Sequence, residues 1–182
     1  LVIVPHSITR APDEFRQLLA REAVTILCQT PSAFNHLMQV EQHVGWDDRL
    51  PLRYVIFGGE AVSFPSLAPW TKKYGDHSPK LINMYGITET TVHVTFREIR
   101  EQDLSLSGSF IGLPLPDLMV YLVDEHGCPV PDNVPGEIWV GGDGVSAGYL
   151  NRPELSAERF INDPFNDNGG RIYRSGDLAR RH

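Results

Sequence analysis

The stretch Asn83-Met84-Tyr85-Gly86-Ile87-Thr88-Glu89-Thr90-Thr91-Val92-His93 sets a glycine, several short hydroxyls and one carboxylate behind the apolar pair Leu81-Ile82. Those residue types read as a strand that ends in a tight loop. A glycine at a strand exit lets the backbone approach a ligand closely. Thr88 and Thr90 supply short hydroxyl donors, and Glu89 supplies the charge that can hold a divalent cation beside phosphates. The same residues also suit an ordinary strand exit with a solvated glutamate.

Two other places could join such chemistry. Gly58-Gly59-Glu60-Ala61 closes an apolar run and precedes a helical pattern. In open α/β sheets ligands bind outside the carboxyl ends of the strands, and paired glycines there allow a flat ring such as adenine to lie close; a simple turn before Ser63 is the alternative. Tyr85 offers an aromatic face on which a purine gains by stacking, or is a half-buried core tyrosine. Near the other end, Tyr173-Arg174-Ser175-Gly176-Asp177-Leu178 places a carboxylate after a glycine turn. Such a carboxylate can accept both hydroxyls of a ribose, or be a surface turn residue.

The elements that must position these residues follow from periodicity. Leu1 to Val4 reads as a short buried strand. Pro12 opens a helix with Asp13 and Glu14 in its first turn, where acids suit the helix dipole; Phe15, Leu18 and Leu19 form its apolar face, with Glu22 in the same spacing. Val24 to Cys28 is β-rich. Thr30-Pro31 is a cap followed by proline at the first helical position, for a helix carrying Phe34, Leu37 and Met38 on one face. A polar loop around Gly45 to Asp48 leads to the strand Tyr54-Val55-Ile56-Phe57. Ser63 is expected to cap a third helix with Leu67 and Trp70, and Lys80 to Met84 is the next strand. Four alternations of strand and helix, with near-continuous apolar strands, imply a parallel sheet covered on both faces.

The pattern changes over Glu98 to Gly108, which is charged and then rich in Ser and Gly, as at a domain boundary. Beyond it, Met119 to Val123 and Glu137 to Val140 are strands between Pro, Gly and Asp turns, and Pro153 to Phe160 is helical with acids at its start. The expected fold class is therefore α/β: a parallel sheet with flanking helices over residues 1–100, then a small, mainly β subdomain over 101–182. The glycines of Gly136-Glu137-Ile138-Trp139-Val140-Gly141-Gly142-Asp143-Gly144-Val145-Ser146-Ala147-Gly148-Tyr149-Leu150 do not form a phosphate cradle, since no Lys-Ser/Thr and no helix start follow them. A hairpin with close backbone packing fits them better.

The 182 residues carry a net charge of −7, 41% hydrophobic and 21% charged residues, ordinary for a soluble globular chain with room for one domain or two small ones. No basic stripe is present, which disfavours nucleic-acid binding. Cys28 and Cys128 lie far apart with no CxxC spacing, as in a reduced, cytoplasmic protein without a disulfide framework or zinc site. The seven histidines do not cluster as ligands; His36 and His43 are seven apart with no partner at metal spacing. No apolar run reaches membrane length, and no signal peptide is apparent.

Taken in order, Asn-x-Tyr-Gly-x-Thr-Glu-Thr-Thr, the Gly-Glu-x-x-x-x-Gly…Gly-Tyr-Leu stretch running through Arg152-Pro153-Glu154 and Glu158-Arg159-Phe160, and Tyr-x-Ser-Gly-Asp resemble three motifs of the adenylate-forming enzymes. The closest resemblance is to the amino-acid-activating (adenylation) domains of nonribosomal peptide synthetases. It covers essentially the whole chain, with departures at Ile87 (usually Pro), Ala147 (often Arg) and Ser175 (usually Thr). The resemblance implies that ATP and Mg²⁺ are used. Thr88 and Glu89 would act at the phosphates, Glu89 as the Mg²⁺ ligand. Gly58, Gly59, Glu60, Ala61, Asn83, Tyr85, Gly86 and Thr88 would bind the nucleotide, and Asp177 its ribose. It also implies partners: a carrier protein bearing phosphopantetheine, and the condensation domains of a parent synthetase.

Carried onto matching positions, the amino-acid pocket is Cys28, Ile56, Gly58, Met84, Val92 and His93. This wall is mostly apolar, with one imidazole and one thiol, too small and too neutral for an acidic, basic or large aromatic side chain. It is similar to that of threonine-activating domains, apart from Cys28 where those usually carry Asn; serine, valine and a modified threonine stand behind threonine. Both chain ends look cut from something longer. The family's Ser/Thr/Gly-rich phosphate loop would precede Leu1 and its lysine-bearing C-terminal domain would follow His182, so the chain alone is expected to be inactive. The rival readings are an acyl- or aryl-CoA ligase of the same superfamily and a non-catalytic nucleotide-binding fragment. The Asn-Arg-Pro-Glu-Leu run at Asn151 to Leu155 favours the synthetase.

Overall fold

The computed structural model describes residues 1–45, 48–166 and 169–182. The polar loop expected around Gly45 to Asp48 therefore lies partly outside the described residues. The chain forms two compact units, one of residues 1–85 and 96–112, the other of residues 86–95 and 113–182. The division is thus not a single cut near residue 100. The loop that carries Glu89 belongs to the second unit although the strand before it belongs to the first.

In the first unit, α1 (Pro12–Arg21) and α2 (Pro31–Glu41) flank β1 (Ile26–Gln29); β2 (Tyr54–Phe57), α3 (Ala68–Tyr74), β3 (Lys80–Tyr85) and β4 (Thr95–Ile99) follow. The sheet runs in the order β1-β2-β3-β4. β1, β2 and β3 are parallel, with Cys28 opposite Ile56 and Ile56 opposite Ile82, and the sheet as a whole is mixed. Both predicted proline starts are real. Thr30 caps α2 by accepting the Ala33 N–H at 3.4 Å, with Pro31 in the first turn. Ser63 does not cap: its side chain makes no cap bond, a 3₁₀ turn over Phe64–Leu67 precedes α3, and the Ser63 carbonyl accepts the Ser66 hydroxyl instead.

The core lies on one face of this sheet. Leu27, Val55, Phe57 and Leu81 pack with Phe15 and Leu19 of α1, Phe34, Leu37 and Met38 of α2, and Trp70 and Tyr74 of α3. The other face carries exposed Ile26 and Cys28 and half-buried Ile56 and Met84. The flanking helices are present as expected, and within this unit α1, α2 and α3 all pack on the Leu27 side rather than on both faces. Leu1 to Val4 forms no strand: a strand needs a ladder partner, and only Val4 of that run packs on the core while Leu1 and Ile3 are exposed.

The second unit holds the two-residue β5 (Leu113–Pro114), then β6 (Leu118–Val123), β7 (Gly136–Gly142), α4 (Pro153–Arg159), β8 (Phe160–Asn162) and β9 (Arg171–Ala179). The last four strands form an antiparallel sheet in the order β6-β7-β9-β8. Val123, Trp139 and Ile172 form its core, joined by Tyr121, Ile161 and Phe165. The glycine-rich stretch from Gly136 to Leu150 forms no hairpin of its own: it supplies β7, whose antiparallel partner β6 precedes the stretch, and then runs on as irregular chain toward α4. At Gly142 (φ +111°) a side chain would collide with the Asp117 carbonyl, so this close packing requires glycine.

Candidate active site

In the first unit the predicted residues gather at the carboxyl ends of parallel strands. Cys28, Ile56 and Ile82 are opposite one another, and alternation along a strand puts Gly58 and Met84 on the same face. The pocket wall predicted from this unit thus shares one side of the sheet, the side without helices. Gly58 bonds back to the Gln29 carbonyl at 3.4 Å, which holds the glycine pair beside the end of β1. Gly59 has φ +80°.

Two predicted ligand residues of this unit are engaged by the protein itself. The Glu60 carboxylate accepts the Ser32 N–H at 3.1 Å and the Ser32 hydroxyl at 2.8 Å. Those bonds hold its carboxyl below the usual range and fasten the glycine loop to the first turn of α2, where a negative charge is favoured. Asn83 is 3% exposed and donates its amide to the Phe110 carbonyl at 2.8 Å. Both side chains brace the strand ends, leaving the backbone of Gly58 to Ala61 and the ring of half-buried Tyr85 as the surfaces a ligand could meet.

In the second unit Gly86 to Thr95 forms a tight loop around a 3₁₀ turn, Thr88–Thr90. The Ile87 carbonyl collects the N–H groups of Thr90 and Val92 and the Thr90 hydroxyl. Thr91 and Val92 take left-handed φ of +58° and +76°, uncommon for β-branched residues and a local store of strain. The chain folds back so closely that a side chain on Gly86 would lie 2.7 Å from the His93 Cα and overlap the Val92 carbonyl. Only glycine fits. Thr88 and Val92 are exposed, and Glu89 and His93 are half-buried.

Glu89 is the best-anchored residue of this loop. Its carbonyl accepts the Ser146 N–H at 2.9 Å, and its Oε1 accepts the Tyr149 hydroxyl at 2.5 Å. That hydroxyl lies 3.1 Å from the Tyr173 hydroxyl. The Tyr149 bond is the main cause that holds the Glu89 carboxyl below its ordinary range, with a smaller contribution from the charge of Arg159. Burial, followed by the bond to Glu89, raises the Tyr149 phenol. Inside β9, where its pairing with β7 shifts register between Glu137 and Trp139, Ser175 donates to the Ile138 carbonyl at 2.7 Å and accepts the Asp177 N–H at 3.0 Å, while the Gly176 N–H donates to Glu137 Oε1 at 3.0 Å. The Ser-Gly-Asp segment, expected as a glycine turn, is thus a fixed irregularity within the strand, with Gly176 at φ +79° and Asp177 exposed.

Comparison with known proteins decides the family. The family model described as AMP-binding enzyme matches residues 1–150. The chain belongs to the AMP-binding enzymes. Over 182 residues it is 52% identical to the dimodular nonribosomal peptide synthase of Bacillus subtilis (strain 168), covering 99% of this chain and 8% of that protein. Over 179 residues it is 44% identical to syringomycin synthase SyrB1 of Pseudomonas syringae pv. syringae, covering 98% of this chain and 28% of that protein. The solved structure of PA1221, a nonribosomal peptide synthetase protein containing adenylation and PCP domains, superposes with a TM-score of 0.82 at 29% identity, covering 93% of this chain and 33% of that one. The chain thus spans a small part of each relative, and within the AMP-binding enzymes those relatives are nonribosomal peptide synthetases.

The residues of this AMP-binding chain fit Mg²⁺ of the kind that travels with a nucleotide. Such an ion takes one or two protein carboxylates and completes its shell with phosphates and water. Glu89, an oxygen donor on a loop of short hydroxyls, suits that role; among the described residues no group of three or more His, Cys, Asp or Glu could make a cage. Sequence reasoning did not assign a role to Tyr149 or Tyr173, although both stand inside the motifs it quoted. The signal was the aromatic hydroxyl within each motif, but the partner of Tyr149 lies 60 positions away in the chain.

Proposed function

We propose that the chain carries part of an amino-acid-activating site. In the implied reaction a substrate carboxylate oxygen attacks the α-phosphorus of ATP, and the bond to the bridging oxygen of pyrophosphate breaks. The products are aminoacyl-AMP and pyrophosphate. A carrier-protein phosphopantetheine thiol then attacks the acyl carbon, loses its proton and expels AMP. Binding energy and charge neutralisation supply most of the catalysis in such phosphoryl chemistry.

The observation that carries this reading is the anchored Glu89 at the tip of the strained loop, in a chain of the AMP-binding family. Mg²⁺ held there would offset phosphate charge. Thr88, exposed on the same turn, would donate to a phosphate oxygen. Asp177 would accept the ribose hydroxyls. Tyr85 and the backbone of Gly59 to Ala61 would sandwich the adenine, with Glu60 and Asn83 bracing that surface from behind.

The substrate we propose is threonine. Cys28, Ile56, Gly58 and Met84, which share one sheet face, would supply a small, mostly apolar wall; Val92 would add a methyl surface and the His93 imidazole would bond a hydroxyl. The test is amino-acid-dependent ATP–pyrophosphate exchange by the intact synthetase, with threonine, serine, valine and an aryl acid. Stimulation by threonine alone is expected. Stimulation by a different amino acid keeps the reaction and discards the His93 assignment, and stimulation only by aryl or fatty acids establishes the CoA-ligase reading.

A further inference from the structure

We propose that Tyr149, backed by Tyr173, is a positioning residue that fixes the orientation of the Glu89 carboxylate toward a magnesium–nucleotide complex. The inference rests on the reading of Glu89 as the Mg²⁺ ligand.

Glutamate is a flexible side chain, and the loop beneath it is short and partly exposed. Its orientation is set by the 2.5 Å bond from Tyr149, the length of a strong O–H···O⁻ bond. Proton counting gives the direction of the chain behind it. A phenol has one proton; once Tyr149 donates it to Glu89, the Tyr149 oxygen can only accept, and the Tyr173 hydroxyl at 3.1 Å is placed to donate to it. Tyr173 therefore supports the carboxylate through a relay with Tyr149, in which each bond polarises the next, and also by a weaker bond of its own to Glu89.

The position of Tyr149 is determined away from the loop it serves. Its N–H donates to the Ser156 hydroxyl of α4 at 2.8 Å, and that hydroxyl donates on to the Arg152 carbonyl at 2.8 Å. The Phe160 ring meets the Tyr149 ring edge-on at 5.4 Å and lies 4.9 Å from the Tyr173 ring. The segment that ends in Tyr149 also grips the loop twice more, through Ser146 N–H to the Glu89 carbonyl and the Thr91 hydroxyl to the Gly144 carbonyl at 2.7 Å. Among the described residues no Lys or Arg pairs with Glu89 within 4 Å. Neutral hydroxyls thus orient the carboxylate without cancelling its charge, as a group that must still attract a dication requires. Outer-shell bonds of this kind typically tune a metal ligand by about 10- to 100-fold.

The test uses the intact synthetase with Tyr149→Phe, Tyr173→Phe, Glu89→Gln and the Tyr149→Phe/Glu89→Gln double variant. Mn²⁺ binding is read by electron paramagnetic resonance in the presence of a non-hydrolysable ATP analogue, and the Mg²⁺ concentration for half-maximal exchange is read separately. Tyr149→Phe, which keeps the ring against Phe160, is expected to weaken Mn²⁺ binding and raise the Mg²⁺ requirement about tenfold, with the amino-acid KM unchanged. A merely structural role would move the amino-acid KM as well, and that result overturns the proposal. Tyr173→Phe is expected to act in the same direction by about two- to threefold. The double variant is expected to match Glu89→Gln alone, since the tyrosine acts only through that carboxylate. If Glu89→Gln weakens Mn²⁺ binding and Tyr149→Phe does not, the positioning role is overturned while the metal assignment stands. If Glu89→Gln leaves Mn²⁺ binding unchanged, the metal assignment fails and this inference with it. Should Tyr149→Phe fail to fold, wild-type Mn²⁺ binding by Tyr173→Phe overturns the relay.

Discussion

Among the described residues, each unit holds one glutamate that takes a tyrosine hydroxyl, and the two are built for opposite ends. Glu41, at the end of α2, is 2% exposed. It receives Arg16 Nε at 2.7 Å, Lys73 Nζ at 2.6 Å and the Tyr74 hydroxyl at 2.7 Å, and Arg16 reaches on to the Asp48 carbonyl. Burial, aided by the bond to Glu41, raises the Tyr74 phenol. Glu89 is half-buried and held by the Tyr149 hydroxyl without an ion-pair partner among the described residues. A carboxylate saturated by cations in the interior ties α1, α2 and α3 together and has no charge left to offer. A carboxylate oriented by neutral donors keeps its charge for something else. The difference separates a structural acid from one that can serve a ligand.

The largest break in this contrast is expected from Glu41→Ala. It leaves Arg16 and Lys73 uncompensated in a site where both are largely buried, and losing one partner of a buried ion pair costs about 3–5 kcal/mol. Chemical denaturation of the intact synthetase carrying the variant, beside wild type, measures it. Activity of the fraction that remains folded should be unaltered. Glu89→Gln should show the reverse: stability within about 1 kcal/mol of wild type, since a partly exposed bond is traded for a weaker one, but exchange reduced by about 100-fold or more. Parallel denaturation and exchange on both variants sharpen the comparison, and a Glu89→Gln variant as unstable as Glu41→Ala would erase it.

The smallest effect is on pH dependence. Glu89 is held below its ordinary value of 4.5 chiefly by the Tyr149 hydroxyl. A carboxyl with a depressed folded-state value contributes stability that is present above the unfolded value and is lost as pH falls through the folded one. Wild-type protein should therefore lose a little more stability than Tyr149→Phe as pH drops below about 4.5. Because the group is partly exposed and screened, the narrowing of the gap in Tm should be about a degree or two. Thermal scans of the two proteins from pH 6 downward, over about three pH units, check it; a gap that widens on acidification would contradict the hydroxyl as the cause.

Much of the fold was legible because local rules agree with one another. Phe15, Leu18 and Leu19 repeat at helical spacing, Thr30-Pro31 is a cap with its following proline, and Tyr54 to Phe57 alternates between faces under a glycine pair. The misreadings fall where a local pattern lacked its partner. Leu1 to Val4 has the composition of a strand but no ladder beside it, and Ser63 stands at a helix start whose first turn tightens to 3₁₀ so that its hydroxyl is not used. Arg16 and Glu41 looked like ordinary polar positions on the helices, since nothing in a 3.6-residue period reveals that two such positions 25 apart will meet.

The sequence alone determined the order of the elements, the motifs and hence the family, because spacing along the chain is enough to write glycine turns, caps and apolar faces. Tertiary structure decided what each carboxylate is for. Glu41 acquired cations, Glu60 was tied to Ser32 in the first turn of α2, and Glu89 acquired a pair of tyrosines, because the charge or proton that sets a glutamate's behaviour comes from residues distant in the chain and close only after folding.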